Sequence, residues 1–255
     1  MPNGPGKRTG VKSDETLFAV LAALRDAGGA GVTELADELD VAKSTVHNHL
    51  STMRDHGFVV QHGDEYRLGL EFFNYGQAVR TDVDVYRAAR PVVDELVAET
   101  GEMVWLLTPE QGRVMYLYGR AGETDLDVNT ILGSWEYMHC TSGGKAILAH
   151  YDDADVDRVV DRHGLPARTA NTITDREELD AELAAVREQG YALNLGEDLE
   201  GIHAVAVPLV YEDDIKGSIA VAGPAHRVSR ERCEGEILDA LRASTNDVEL
   251  NLAYA

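Results

Sequence analysis

The first 70 residues contain three short stretches of helical periodicity followed by two β-prone runs, an order that few folds share. Apolar residues recur at helical spacing from Ser13 to the Gly28-Gly29 pair, and Thr33 is expected to cap a second short helix. A third helix follows a short turn and runs to about His56. Two β-prone runs, FVVQ and EYRLG, then flank a glycine turn and predict a hairpin. Three helices followed by a hairpin predict a winged helix-turn-helix, whose second motif helix enters the DNA major groove.

The outward face of the third helix carries short polar side chains and no acidic one. Between Ala42 and Arg54 there is no Asp or Glu, although a solvated helix in this chain should be rich in both. A helical bundle with a solvated polar face is the competing interpretation, and the missing acids argue against it. Short polar groups hydrogen-bond base edges and phosphates. We therefore predict that DNA is contacted by Lys43, Ser44, Thr45, His47, Asn48, Ser51 and His62.

The overall charge argues against a nucleic-acid partner. The 255 residues carry 45 Asp and Glu against 23 Lys and Arg, a formal net charge of −22, and such a chain repels DNA. Residues 1–75, however, hold 7 basic and 11 acidic residues, so that −18 of the charge falls on the remainder. Lys occurs five times against eighteen Arg. This composition resembles that of proteins from halophiles that accumulate KCl, and an ordinary acidic bacterial protein is the alternative.

Several protein classes do not fit the sequence. No run approaches the roughly 18 apolar residues of a membrane helix, and the first ten residues lack the apolar stretch of a signal peptide. Cys140 and Cys233 lie far apart and match no zinc or redox spacing. We expect a cytoplasmic protein without a membrane partner.

The rest of the chain predicts an α+β domain. A helix ending near Gly101 is expected to hold Pro91 in its first turn, where proline is tolerated. The runs MVWLLT and RVMYLYG, and later HAVAVPLVY and IKGSIAVAG, predict two hairpins with helices between them. Thr174 and Glu177 predict a capping box, and Ser229 is expected to cap a last helix that runs to the C-terminus.

Five segments resemble the IclR family of transcriptional regulators, and the resemblance covers nearly the whole chain. In chain order they are VTELADELDVAKSTVHNHLSTMRDHGFV, EYRLGLEFFNYGQ, MHCTSGGKAILA, REQGYALNLGEDLEGIHAVAVPL and GSIAVAGPAHRVS. The resemblance implies an α+β protein in which a winged helix-turn-helix is joined by a linker helix to a GAF-like α/β effector-binding domain. It also implies a homodimer or homotetramer. The expected boundaries are a flexible arm over 1–12, the DNA-binding domain over 13–69, the linker helix over 70–86 and the effector-binding domain over 87–255.

The chain departs from the family pattern at several positions. Arg is frequent in the family where this chain has Asn48, and a different base preference is expected because Asn bonds an adenine edge whereas Arg favours guanine. Serines are frequent where this chain has Ala220 and Ala222, and Cys occurs where it has Ala204. The missing hydroxyls favour an effector with an apolar body over a small hydroxylated acid.

The glycine-rich loop before the helix SGGKAILAHY is the candidate effector seat. It lacks the first Gly and the final Ser or Thr of a phosphate loop, but backbone N–H groups at a helix start suit a carboxylate. The alternative is a tight helix start selected for packing. The resemblance implies an effector site formed by Thr141, Ser142, Gly143, Asn194, Ala204, Ala220 and Ala222.

Catalytic and metal sites are weak interpretations of this sequence. His139 and Cys140 would point to opposite faces of a strand, and no third orienting group is recognisable. The acidic stretch 194–200 beside His203 reads first as a solvated loop, and His47 and His49 cannot share one metal ion on one helix face. We predict no catalytic residue, no cofactor and no metal.

The predicted function is a regulator whose affinity for a palindromic double-stranded operator is set by a small carboxylate effector. Two alternatives stay open from the sequence. One is an enzyme with a GAF-like domain and an accessory winged helix, and the other is an architectural DNA binder without a ligand.

Overall fold

The computed structural model describes residues 10–122 and 128–254. These residues form two compact units, which divide between Val79 and Arg80. Residues 1–9 of the predicted arm lie outside the described residues, and the first helix already begins at Lys12. Among the helices that the structure describes, none is both long and apolar enough to cross a membrane.

The first unit contains the three helices and the hairpin that the sequence predicts. Its elements are α1 (Lys12–Ala27), β1 (Ala30–Gly31), α2 (Val32–Leu39), α3 (Lys43–Asp55), β2 (Val59–His62), β3 (Glu65–Leu68) and, as far as Val79, α4 (Glu71–Asp82). The unpredicted two-residue β1 pairs with β3, giving the antiparallel order β1-β3-β2. The core is apolar, and its buried members include Val20, Leu24, Leu35, Val46, Leu50 and Met53.

Two details of the first unit differ from the prediction. Thr33 does not cap α2, because β1 reaches Gly31 and the helix begins at once, with the Gly31 N–H donating to Glu34 Oε2 at 2.8 Å. The helix expected from Glu71 to about Tyr86 ends at Asp82, since Val83 has extended backbone angles and a new helix follows.

The second unit packs helices on both faces of one sheet. Its elements are α5 (Asp84–Thr100), β4 (Met103–Glu110), β5 (Arg113–Arg120), β6 (Trp135–Tyr137), α6 (Ser142–Leu148), α7 (Asp153–His163), α8 (Arg176–Gln189), β7 (Ala192–Leu195), β8 (Ile202–Tyr211), β9 (Asp214–Pro224), α9 (Arg230–Glu234) and α10 (Glu236–Ala253). The strands are antiparallel in the order β6-β5-β4-β9-β8-β7. The expected α+β class is confirmed.

Side-chain alternation along the strands decides what each face of the sheet holds. On β4, Val104 and Leu106 pack with α5 and α10 in one apolar layer. Met103, Trp105 and Leu107 lie on the other face, in the layer that also contains α6 and α8. The even-numbered alanines of β8 and β9 share this second face, so that small side chains lie beneath α6.

Several local predictions for the second unit were wrong. Pro91 lies inside α5, which begins seven residues earlier at Asp84. The cap of α8 is Asp175 rather than Thr174, because the Asp175 carboxylate accepts the N–H groups of Glu177 and Glu178. Ser229 does cap a helix, but that helix has five residues and α10 follows it.

Candidate functional site

The predicted DNA-contacting residues all lie on α3 or on the hairpin after it. Lys43, Ser44, His47 and Asn48 are exposed on α3, whereas Thr45 and Ser51 are half-buried. His62 is exposed at the end of β2. The opposite face of α3 buries Val46, Leu50 and Met53 in the core. The polar face is therefore fixed in orientation by packing on the other side of the same helix.

The beginning of α3 is also open to a phosphate. Ala42 precedes it and supplies no side-chain cap, and the first turn contains no acidic residue. The first N–H groups of a helix have no partner within it and bind anions well. At the other end, Arg54 Nη1 donates to Gln61 Oε1 at 2.7 Å. This contact, which the sequence did not reveal, joins α3 to the hairpin.

The seven predicted effector residues line one cavity of about 60 Å³ in the second unit. Four segments contribute them: Thr141 with the first two residues of α6, Asn194 on β7, Ala204 on β8, and Ala220 and Ala222 on β9. The remaining lining residues are Trp105, Leu107, Tyr116, Asp198, Leu199 and Ile202. Trp105 and Leu107 belong both to the apolar core and to the cavity wall.

The floor of the cavity consists of alanines and an aromatic pair. Ala204 and Ala222 are register neighbours, and Ala220 is paired with Trp105. The rings of Trp105 and Tyr116 meet edge to face with centroids 5.1 Å apart. A Cβ at position 119 would lie 2.1 Å from the Trp105 ring, so Gly119 makes room for the indole.

The roof of the cavity is the beginning of α6, and its glycines are needed for packing. Thr141 Oγ1 accepts the N–H of Gly144 at 3.1 Å. A Cβ at Gly143 would lie 2.7 Å from Ser218 Oγ, and Ser218 already donates to the Gly143 carbonyl at 3.1 Å. These close contacts support the alternative interpretation of the glycines, a tight helix start selected for packing. They do not conflict with a role in binding a ligand.

Asn194 is buried and uses both ends of its amide inside the protein. Its Nδ2 donates to the Cys140 carbonyl at 3.0 Å, and its Oδ1 accepts the Glu197 N–H at 2.8 Å. Asn194 lies on β7, so the stretch 194–200 is the end of a strand and a turn that the Asn194–Glu197 hydrogen bond holds. It is not the solvated loop that the sequence suggested. Asn194 thereby joins the segment before α6 to the turn after β7.

Lys145 provides a second link between the same two segments, and the sequence did not reveal it. Its side chain is 1% exposed, and Nζ donates to both carboxylate oxygens of Glu197 and to Glu182 Oε1, each at 2.8 Å. Burial raises the pKa of Glu197 even though Lys145 opposes this shift. The sequence contained one signal of this contact: a lysine inside an apolar helix, in a chain with only five lysines.

His139 and Cys140 do not form a nucleophilic pair. They lie in a short 3₁₀ turn, Met138–Cys140, not in a strand as assumed from the sequence. Burial raises the pKa of the Cys140 thiol far above its usual range, so it stays protonated. Burial lowers the pKa of His139, whose Nε2 lies 3.2 Å from the Pro166 carbonyl. Within the described residues, no three His, Cys, Asp or Glu side chains are placed to hold a metal.

Comparison with known proteins identifies relatives along the whole chain. The profile "Bacterial transcriptional regulator IclR C-terminal" matches residues 77–250, and the profile "IclR helix-turn-helix domain" matches residues 16–63. The "Probable HTH-type transcriptional regulator ArcR" of Halobacterium salinarum is 30% identical over 99% of this chain and 97% of its own. The "HTH-type transcriptional regulator KdgR" of Escherichia coli is 29% identical over 96% of this chain and 94% of its own.

Solved structures share the fold. IclR of Thermotoga maritima superposes with a TM-score of 0.77 at 25% identity, covering 95% of this chain and 98% of that one. An IclR homologue from Microbacterium hydrocarbonoxydans, in complex with 4-hydroxybenzoate, superposes with a TM-score of 0.82 at 19% identity, covering 95% of this chain and 100% of that one.

We predict that Lys145→Ala lowers the free energy of unfolding by about 3–5 kcal/mol, because it leaves a buried carboxylate without its partner. Chemical denaturation of the full chain measures this change. Lys216→Ala is the matched control, since Lys216 pairs with the exposed Asp214 at 2.6 Å and its loss should cost little. Equal losses in the two variants would contradict the importance of the buried pair.

Proposed function

The chain belongs to the IclR family of transcriptional regulators, and we propose that its operator affinity is set by a small carboxylate effector bound in the cavity of the second unit. The family supplies the DNA-binding regulator and its C-terminal ligand-binding domain. The identity of the effector, its site and the operator symmetry are the proposed parts.

One observation carries the effector site: all seven residues that the family resemblance implies, from the beginning of α6 and from β7, β8 and β9, line the same cavity. The homologue that holds 4-hydroxybenzoate supports an aromatic carboxylate as a suitable class. A volume of about 60 Å³ is room for one or two waters rather than for an aromatic ring. Binding of an aromatic acid must therefore enlarge the cavity, and we propose that Leu199, which lines the cavity and is 61% exposed, moves outward.

We propose that two copies read the two halves of a palindromic operator, in a homodimer or homotetramer. Apolar surface on the first unit supports this pairing. Helix α4 buries none of its residues and exposes Phe73, Tyr75 and Val79, and Phe18 of α1 is 67% exposed. Apolar patches of this kind mark contact surfaces.

Effector binding is proposed to act by population shift, since a ligand that prefers one conformation increases its share. The segment 70–86, proposed as the linker, is the covalent route by which the state of the domain over 87–255 reaches the DNA-binding domain over 13–69. Because the proposed regulator binds chromosomal DNA, we propose that it is located in the cytoplasm. The acidic composition and a relative from Halobacterium salinarum support a halophilic source.

We predict that Asn48→Ala weakens binding to the cognate operator by about 1–3 kcal/mol and leaves binding to random DNA nearly unchanged, because it removes a contact to a base edge. Genome-wide binding sites supply the operator, and fluorescence anisotropy measures both affinities. Thr52→Ala is the control on the same helix, since its hydroxyl bonds the Asn48 carbonyl within α3. Equal losses on operator and random DNA would show that α3 does not read bases.

We predict a shallow or inverted dependence of operator affinity on KCl between moderate and molar concentrations. DNA binding ordinarily weakens with salt because counterions are released. Here the contacting face carries few cations and the chain carries −22, so cations must be taken up between protein and DNA. The measurement is the slope of log affinity against log KCl concentration. A steep negative slope over this range would contradict both this mechanism and the halophilic source.

We predict that an aromatic or branched carboxylic acid binds more tightly than glyoxylate or pyruvate. The alanine floor gains roughly 25 cal/mol per Å² of apolar ligand buried, whereas a small oxygenated acid leaves polar groups without partners there, at about 1–3 kcal/mol each. Calorimetric titration of the full chain with both classes tests the order. Tight binding of glyoxylate or pyruvate, with none of any aromatic acid, would overturn the role given to these alanines.

A further inference from the structure

The proposed effector cavity has an acidic wall that the sequence did not reveal. Asp198 lines the cavity, and its side chain is 20% exposed. No Lys, Arg or His is among the described residues that line it. A chain this acidic places most carboxylates on the surface, so a carboxylate at a small apolar cavity needs a separate explanation.

The contacts of Asp198 occupy one of its oxygens. Oδ1 accepts from Arg168 Nε at 3.3 Å and lies 3.8 Å from Cys140 Sγ. Oδ2 has no partner among the residues that the structure describes. The Arg168 side chain is 45% exposed, which places its charge toward solvent and weakens its screening of Asp198.

The effect of Asp198 reaches another lining residue. Burial raises the pKa of the Tyr116 hydroxyl above its usual range, and the charges of Asp198 and Glu136 raise it further. Burial and the charge of Asp198 also raise the pKa of Glu136. The part of the cavity beside Asp198 and Tyr116 therefore favours a hydrogen-bond donor of the ligand.

We infer that Asp198 determines which effectors bind, by accepting a hydrogen bond from a hydroxyl or amino group of the ligand. This rests on the proposed function, in which the ligand carboxylate faces the beginning of α6 and its apolar body lies on the alanine floor. The effector class is then a carboxylic acid with an apolar core and a hydrogen-bond donor elsewhere on that core. A second carboxylate in place of the donor would be repelled by Asp198.

A purely structural role for Asp198 makes a different prediction. If the residue serves only to hold Arg168, removing either partner should have the same effect on the protein and none on ligand choice. If Asp198 contacts the ligand, Arg168→Gln keeps the Asp198 carboxylate and therefore preserves the preference for a ligand with a hydrogen-bond donor. Asp198→Ala removes the carboxylate and with it this preference.

The test is a cycle of two ligands and three proteins. Benzoate and 4-hydroxybenzoate differ by one hydroxyl, and calorimetry measures the affinity of each for the wild-type chain, Asp198→Ala and Arg168→Gln. We expect the hydroxylated acid to bind the wild type and Arg168→Gln about 10-fold or more tightly than benzoate, since bonds to charged groups are strong. The ratio should fall toward one in Asp198→Ala, with thermal denaturation confirming that each variant is folded.

The outcomes separate this inference from the proposed function. A wild type that binds its operator and shows equal affinity for the two acids, or a ratio that survives Asp198→Ala, overturns the role of Asp198 alone. A wild type that binds operator but neither acid overturns the inference together with the aromatic class of effector. A chain that fails to bind any genomic site overturns the regulator itself.

Discussion

A lysine that is almost completely buried is the constraint on which the second unit depends. Lys145 is 1% exposed and extends from α6 to the buried Glu197 and the partly exposed Glu182. Separating Lys145 from Glu197 would leave a buried carboxylate without its cation, so the turn after β7 cannot leave α6 at low cost. Asn194 adds two uncharged hydrogen bonds between the same segments. These contacts hold the turn after β7 as far as Glu197, two residues before Leu199.

This rigidity is useful for a sensing cavity because it limits where the space can grow. The sheet beneath is held by its ladder of hydrogen bonds, and α6 packs closely on it, since a Cβ at Gly143 would lie 2.7 Å from Ser218 Oγ and 2.9 Å from Leu107. Leu199 lies two residues after Glu197 in the chain and is mostly exposed. In the proposed function a ligand therefore enlarges the cavity on the side of Leu199, and its binding is coupled to movement of this residue.

The sequence predicts helices and strands well where one hydrophobic periodicity is strong. It predicts them poorly where local propensity and burial in the core favour different structures. The α3 helix is recognisable from apolar residues at helical spacing, Val46, Leu50 and Met53, and the hairpins from β-prone runs on either side of a turn. Pro91 was assigned to a first turn on propensity, but burial of Val92, Val93 and Leu96 carries α5 through it. The effector residues came from a resemblance, whereas the roles of Lys145 and Asp198 depend on contacts between residues at least 30 positions apart, which no local pattern encodes.

Charge distribution, finally, determines how this protein can approach DNA. A net charge of −22 repels a polyanion from every direction, but the repulsion is weakest where acids are missing, and Ala42–Arg54 contains none. Low repulsion at the α3 face favours an approach in which this face meets the DNA, even without a strong attraction. Molar salt limits the remaining repulsion to a range of about 3 Å. In the proposed function, base contacts then contribute a larger share of the affinity than in a basic regulator. If Asn48 contacts a base as we predict, it influences binding as well as specificity.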